Sequence, residues 1–134
     1  MLQEFDFATG KTVNPKRRQV IILLEDAAQA DELQQILRQK SYPVIGKTTE
    51  LREALEMVGK HKVGILFLDV DSAGGNAMGL LTTIRTKFPE FNVVLTSATV
   101  TKELLTESIA NGAAGFLVRP IGQESLQKVL DKIK

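Results

Sequence analysis

Two aspartates, separated by one residue, follow an apolar segment in the middle of this 134-residue chain. Asp69 and Asp71 come directly after residues 65–68, which read Ile-Leu-Phe-Leu. A carboxylate at the end of a buried strand has three interpretations. It can be a nucleophile toward phosphorus, a ligand of a metal ion, or the polar end of a strand in contact with water. The segment alone does not distinguish among them.

Other chemically useful residues follow other apolar segments. Acids follow residues 20–24, hydroxyls follow residues 93–95, and a cation follows residues 116–118; they are Glu25 and Asp26, Thr96 and Ser97, and Arg119. Closely spaced carboxylates repel one another unless a cation or a proton offsets their charge. Oxygen ligands with open coordination positions suit Mg²⁺, which keeps several of its waters. We therefore expect a magnesium site.

An aspartate beside a bound Mg²⁺ can attack phosphorus and become an aspartyl phosphate. The metal neutralises charge on the phosphoryl oxygens, and a hydroxyl and a cation bind the others. Ser97 and Arg119 supply these two groups. Taken singly, Asp71 could be a turn residue and Arg119 a surface ion-pair partner worth under ~1 kcal/mol. Their joint occurrence at strand ends predicts a phosphoryl-accepting site.

The apolar segments alternate with stretches of helical periodicity. Strands are predicted at residues 20–24, 42–45, 63–68, 93–95 and 116–118. Five helices follow them, and in the fourth helix, which Thr101 can cap, four residues are expected to face inward: Leu104, Leu105, Ser108 and Ile109. This alternation predicts an α/β fold with a five-stranded parallel sheet, doubly wound by helices on both faces. Ligands of such sheets bind outside the carboxyl ends of the strands.

Composition limits the alternatives. The chain has 43% hydrophobic and 25% charged residues, and its 17 basic and 16 acidic residues give a net charge of +1. This balance gives no electrostatic reason to expect nucleic-acid or membrane binding. The chain has no cysteine, no signal-peptide pattern and no apolar run near the roughly 20 residues that span a bilayer. We expect an extension over residues 1–18, one domain over residues 19–134, and a cytoplasmic location.

The sequence resembles the receiver domains of two-component response regulators, the family typified by the chemotaxis regulators. The resemblance covers nearly all of residues 19–134 and rests on four short motifs in order along the chain: IILLED, ILFLDVD, VVLTSA and GFLVRP. Each motif is weak alone, and their order and spacing make the combination specific. The resemblance implies a flavodoxin-like sheet with strand order 2-1-3-4-5.

The resemblance also assigns roles to individual residues. Asp69 corresponds to the phosphoacceptor, Asp26 to a direct Mg²⁺ ligand, and Glu25 to an acid that acts through water. The backbone carbonyl of Asp71 corresponds to a further Mg²⁺ ligand, beside Asp69 itself. The phosphate-binding and switch positions correspond to Ser97, Ala98, Phe116 and Arg119, and the bond before Pro120 is expected to be cis.

One departure from the family pattern concerns the cation. Arg119 stands where the family has lysine, and a planar guanidinium is not equivalent to a compact ammonium group at a phosphate site. A degenerate receiver that works as a protein-binding module without phosphorylation is therefore an alternative. A small phosphatase of the haloacid-dehalogenase type is another, because those enzymes also carry Asp-x-Asp at a strand end. There the paired acids come later in the chain, whereas here Glu25 and Asp26 come first.

The resemblance implies a signalling function. A histidine kinase or a phosphotransfer domain would donate the phosphoryl group to Asp69. The surface of the fourth helix, fifth strand and fifth helix would then change its affinity for a downstream protein. Such a domain is not expected to be an enzyme beyond its own phosphorylation and dephosphorylation.

Overall fold

The structure, a computed structural model, describes residues 4–6, 11–13, 18–71 and 76–133. Its main body is a parallel sheet of five strands: β3 (Val20–Leu23), β4 (Val44–Thr48), β5 (Gly64–Asp69), β6 (Phe91–Ser97) and β7 (Gly115–Val118). The spatial order is β4-β3-β5-β6-β7, and every neighbouring pair is parallel. This confirms the predicted order 2-1-3-4-5.

In the part of the chain that the structure describes, four helices connect these strands and a fifth follows β7. They are α1 (Ala27–Gln39), α2 (Leu51–His61), α3 (Ala77–Lys87), α4 (Lys102–Ala110) and α5 (Gln123–Lys132). Asp26 caps α1, its side chain accepting from the first-turn amides of Ala28 and Gln29. Thr101 caps α4 through the Leu104 amide, as the sequence predicts. None of the described helices combines the length and apolarity that crossing a membrane would require.

The core lies on both faces of the sheet. Alternate residues of the central strands point to opposite faces, so β3 and β5 contribute to two clusters. Ile21, Leu66 and Leu68 pack with residues of α2 and α3. Ile22, Ile65 and Phe67 pack with residues of α1 and α5. Because β3 and β5 are buried along their whole lengths, their sequences are almost uniformly apolar.

The expectation for the buried face of α4 is wrong in part. Ser108 is buried, whereas Leu105 is 40% exposed and Ile109 67% exposed. The helix packs against β7, which is the last strand of the sheet. No sixth strand lies beyond β7 in this five-stranded sheet, so only one narrow side of α4 is covered.

The second strand of the sheet also differs from its prediction. β4 runs over Val44–Thr48, not residues 42–45. It lies at the sheet edge, where alternate residues face solvent, and its pairing with β3 continues through Lys47 and Thr48. Lys47 remains in contact with water and forms an ion pair with Asp31 of α1 at 2.6 Å. A search for apolar residues misses such a strand end.

Within the predicted extension, the described backbone forms two short strands. β1 (Glu4–Asp6) and β2 (Lys11–Val13) pair antiparallel, with Phe5 opposite Thr12. The alternation of acidic and apolar residues in Glu4–Asp6 is the sequence signal for the first of these strands.

Candidate functional site

The register of the parallel strands brings three predicted site residues to one edge of the sheet. Asp69, the last residue of β5, is opposite Thr96 of β6. Ser97, the last residue of β6, is opposite Val118 of β7. The ladder continues beyond β7, because the Arg119 amide donates to the Ser97 carbonyl oxygen at 2.8 Å. The register of the sheet therefore determines where Asp69, Ser97 and Arg119 lie relative to one another along the strand direction.

Asp69 is a buried carboxylate with 2% exposure. The Thr96 hydroxyl donates to its Oδ1 at 3.2 Å, and Arg119 Nε lies 3.4 Å from the same oxygen. A buried charge persists only when it is paired and hydrogen-bonded. Thr96 and Arg119 provide a hydrogen bond and an ion pair of this kind to the Asp69 side chain.

The Arg119 guanidinium bridges three parts of the site. Its Nη2 donates to Asp71 Oδ2 at 2.5 Å, and its Nη1 donates to Gln29 Oε1 at 3.0 Å. Its Nε faces Asp69 and is buried without a hydrogen-bond acceptor. The following bond, Arg119–Pro120, is cis, as the resemblance implied. This guanidinium thus connects β5, α1 and the residues after β7, and it retains one unused N–H beside Asp69.

The position of Asp71 is fixed by hydrogen bonds to its side chain as well as by the backbone. Its Oδ2 accepts from the Ala98 amide at 2.8 Å and, more weakly, from the Ser97 hydroxyl at 3.4 Å. The Ala98 amide, and then Arg119 and Ser97, lower the pKa of Asp71 below its usual value, against desolvation, which raises it. The carboxylate is therefore the charged acceptor of three donors at the ends of β6 and β7.

The two acids after β3 lie between that strand and α1. Glu25 and Asp26 are both exposed, and Asp26 Oδ1 accepts from the α1 amides of Ala28 and Gln29 at 3.0 and 3.2 Å. Because Leu23 pairs with Leu68 of β5, these acids and Asp69 share one edge of the sheet. Their oxygen chemistry fits Mg²⁺, which needs only one or two protein carboxylates. Across the described residues, no three acidic, histidine or cysteine side chains group closely enough to form a metal site.

Phe116 lies within β7, three residues before Arg119. It pairs with Leu95 of β6 and packs, half-buried, against the core cluster on the α2 and α3 face. The structure thus brings Asp69, Asp71, Ser97, Ala98 and Arg119 into one contact network, with Glu25 and Asp26 at the adjacent strand end and Phe116 behind it.

The roles of two contributors to the site were not predicted. Thr96, which the sequence marks only as a hydroxyl at a strand end, is fully buried and bonds Asp69. Gln29 fixes one arm of Arg119, although 90 residues separate the two in the chain. No local pattern marks Gln29, because its role depends on how α1 lies against the loop after β7.

Comparison with known proteins gives the fold and the family that the sequence resemblance implied. The family described as response regulator receiver domain matches residues 20–131. The transcriptional regulatory protein CitT of Bacillus subtilis is 28% identical over 69% of this chain and 41% of its own length. The chemotaxis protein CheY of Thermotoga maritima is 26% identical over 84% of this chain and 95% of its own length.

Solved structures agree with these matches. A response regulator from Thermotoga maritima superposes with a TM-score of 0.75 at 26% identity, over 86% of this chain and 95% of its own. The chain spans less than half the length of CitT and of the next two curated relatives, but nearly the whole of CheY.

The match covers all five strands of the parallel sheet and the complete strand-end site. Receiver domains are generally signalling modules that work with Mg²⁺ and with kinases or phosphotransfer proteins. The alternative of a haloacid-dehalogenase-type phosphatase loses its basis, because the strand order, the early acid pair and the matched family all agree on another fold. The chain belongs to the response regulator receiver domain family.

Proposed function

We propose that this domain accepts a phosphoryl group on Asp69 from a histidine kinase or a phosphotransfer protein. The observation that carries the proposal is the pairing of a buried carboxylate with a buried, unused donor. Asp69 is 2% exposed, and Arg119 Nε beside it has no hydrogen-bond acceptor. This N–H contacts Asp69 Oδ1 as an ion pair at 3.4 Å and makes no hydrogen bond. An oxygen of a phosphoryl group on Asp69 would satisfy it.

The transfer step is a displacement at phosphorus. An Asp69 carboxylate oxygen forms a bond to phosphorus while the phosphorus–nitrogen bond of the donor phosphohistidine breaks. The ring nitrogen leaves with the bonding electron pair and takes a proton from solvent. Ser97, Ala98 and Arg119 then donate to the phosphoryl oxygens, which their positions at the ends of β6 and β7 support.

Glu25, Asp26, Asp69 and the Asp71 carbonyl would hold Mg²⁺, which would neutralise charge on the phosphoryl group. Phe116 would change rotamer when Ser97 moves toward the phosphate. The signal would leave through the face formed by α4, β7 and α5. Leu105 and Ile109 of α4 and Val118 of β7 are exposed apolar side chains on this face, which supports its use as a protein-binding surface.

A second function has one observation in its favour. Two of the three arms of Arg119 are already engaged, by Asp71 and by Gln29. A receiver whose cation is held in this way could bind a partner protein without being phosphorylated. The two functions differ in whether Asp69 takes up phosphate.

The test is phosphorylation by acetyl phosphate with Mg²⁺, followed by intact-protein mass spectrometry. Wild type is expected to gain one phosphoryl group, and Asp69→Asn is expected to gain none. Asp31→Asn is the control, because Asp31 is an exposed acid paired with Lys47, outside the site. Uptake by Asp69→Asn would contradict the assignment. Wild type that stays unmodified at millimolar Mg²⁺ would favour the phosphorylation-independent function.

A further inference from the structure

The Asp71 side chain has a set of contacts that its place after β5 does not require. One oxygen, Oδ2, receives the Arg119 Nη2 donor at 2.5 Å, the Ala98 amide at 2.8 Å and the Ser97 hydroxyl at 3.4 Å. These donors come from the ends of two strands, β6 and β7. Three donors directed at one charged oxygen form an anion-binding site, and here the chain supplies the anion.

These donors are the ones that a phosphoryl group on Asp69 would need. Asp69 and Asp71 share the guanidinium of Arg119, with Nε at 3.4 Å from Asp69 Oδ1 and Nη2 at 2.5 Å from Asp71 Oδ2. The Ala98 amide and the Ser97 hydroxyl each have a single hydrogen, so neither can donate to Asp71 and to a phosphoryl group at once. Arg119 can reach both anions through different N–H groups. The two anions therefore compete for the Ala98 and Ser97 donors.

We propose that the Asp71 carboxylate is a built-in competitor that occupies the phosphate-binding half of the site until a phosphoryl group displaces it. This inference rests on the proposed function, because it concerns the same phosphate contacts. The side chain is 46% exposed, so it can turn outward into water when displaced. Its carboxylate sets how tightly the domain holds a phosphoryl group, in addition to any role of its backbone carbonyl.

The test uses beryllofluoride, which binds an aspartate as a mimic of an acyl phosphate, with bound fluorine measured by ¹⁹F NMR. Asp71→Asn keeps the backbone carbonyl and nearly the same volume but removes the charge. Asp71→Ala removes the acceptor altogether and serves as a second variant. Asp69→Asn is the negative control, and Asp31→Asn, which removes an exposed paired carboxylate elsewhere, is the matched control. Each protein is first titrated with Mg²⁺, so that beryllofluoride is added at saturating metal.

Loss of the competitor is expected to tighten beryllofluoride binding about tenfold in Asp71→Asn and Asp71→Ala, the equivalent of one charge-assisted hydrogen bond. Asp31→Asn is expected to match wild type. Binding that is equal to wild type, or weaker, in both Asp71 variants would overturn this inference while leaving the proposed function in place. Absence of binding in wild type and both Asp71 variants would overturn both. Binding by the variants but not by wild type would support competition by Asp71 and would contradict phosphoryl acceptance by the wild-type domain.

Discussion

The two halves of the strand-end site differ in the groups they contain: exposed acids in one half, and donors already engaged by an acid in the other. At the end of β3, Glu25 and Asp26 are exposed, and Asp26 uses one oxygen to cap α1. At the ends of β6 and β7, donors are closely engaged, with Arg119 on Asp71 at 2.5 Å and Ala98 on the same oxygen at 2.8 Å. The first, open half presents exposed carboxylates, and the second, engaged half already contains an anion. On the proposal above, phosphate binding requires the donors of the engaged half to be released from Asp71.

Removing the cation should disturb the engaged half most. Arg119→Met leaves Asp69 buried beside a methionine and Asp71 without its closest partner. Breaking a buried pair on one side typically costs 3–5 kcal/mol, and the half-exposed Asp71 reduces this, so we expect a loss of about 2–3 kcal/mol. Urea unfolding measures it.

Arg119→Lys separates charge from shape in the same assay. The ammonium group keeps the positive charge but cannot bridge Asp69, Asp71 and Gln29 as the planar guanidinium does. We expect it to recover most of the lost free energy of unfolding and to lose the Gln29 contact. A Met variant as stable as wild type would show that the guanidinium does not hold this half together.

A smaller effect is expected at the open half. Asp26→Ala removes the acceptor for the first-turn amides of α1 and should lower stability by about 1 kcal/mol in urea without Mg²⁺, whereas Asp26→Asn should cost only a few tenths of that. Both variants should bind Mg²⁺ more weakly, because each removes a carboxylate charge. Equal stability of the Ala and Asn variants would show that Asp26 does not act as a cap.

The smallest effect is expected at the contact between the engaged half and α1. Gln29→Leu removes the acceptor of Arg119 Nη1, and a neutral partner near the surface is partly replaced by water. We expect a loss of about 0.5 kcal/mol in urea unfolding. A loss as large as that of Arg119→Met would mean that α1, rather than Asp71, is the main anchor of the guanidinium.

The sequence predicted the strands that position this site better than it predicted the side-chain contacts within the site. β3 and β5 are buried on both faces, so their apolar composition revealed them, and with them the strand-end positions of Asp69 and Asp71. The parallel register then brought Ser97 and Arg119 to the same edge. These features depend on periodicity, which is local information.

The remaining features depend on distances between elements that are far apart in the chain. Asp71 was assigned only a backbone role, because sequence spacing does not tell where its side chain points. The exposure of Leu105 and Ile109 follows from the edge position of β7, which their helical spacing does not record.

The central claim is that the phosphate-binding half is filled by Asp71 at rest and is released when Asp69 is modified. A crystal structure of the protein with Mg²⁺ and beryllofluoride tests it most directly. We expect beryllofluoride on Asp69, with the Ala98 amide and Arg119 donating to its fluorines and the Asp71 carboxylate turned toward solvent. Beryllofluoride on Asp69 with Asp71 still bonded to both Ala98 and Arg119 would contradict the claim.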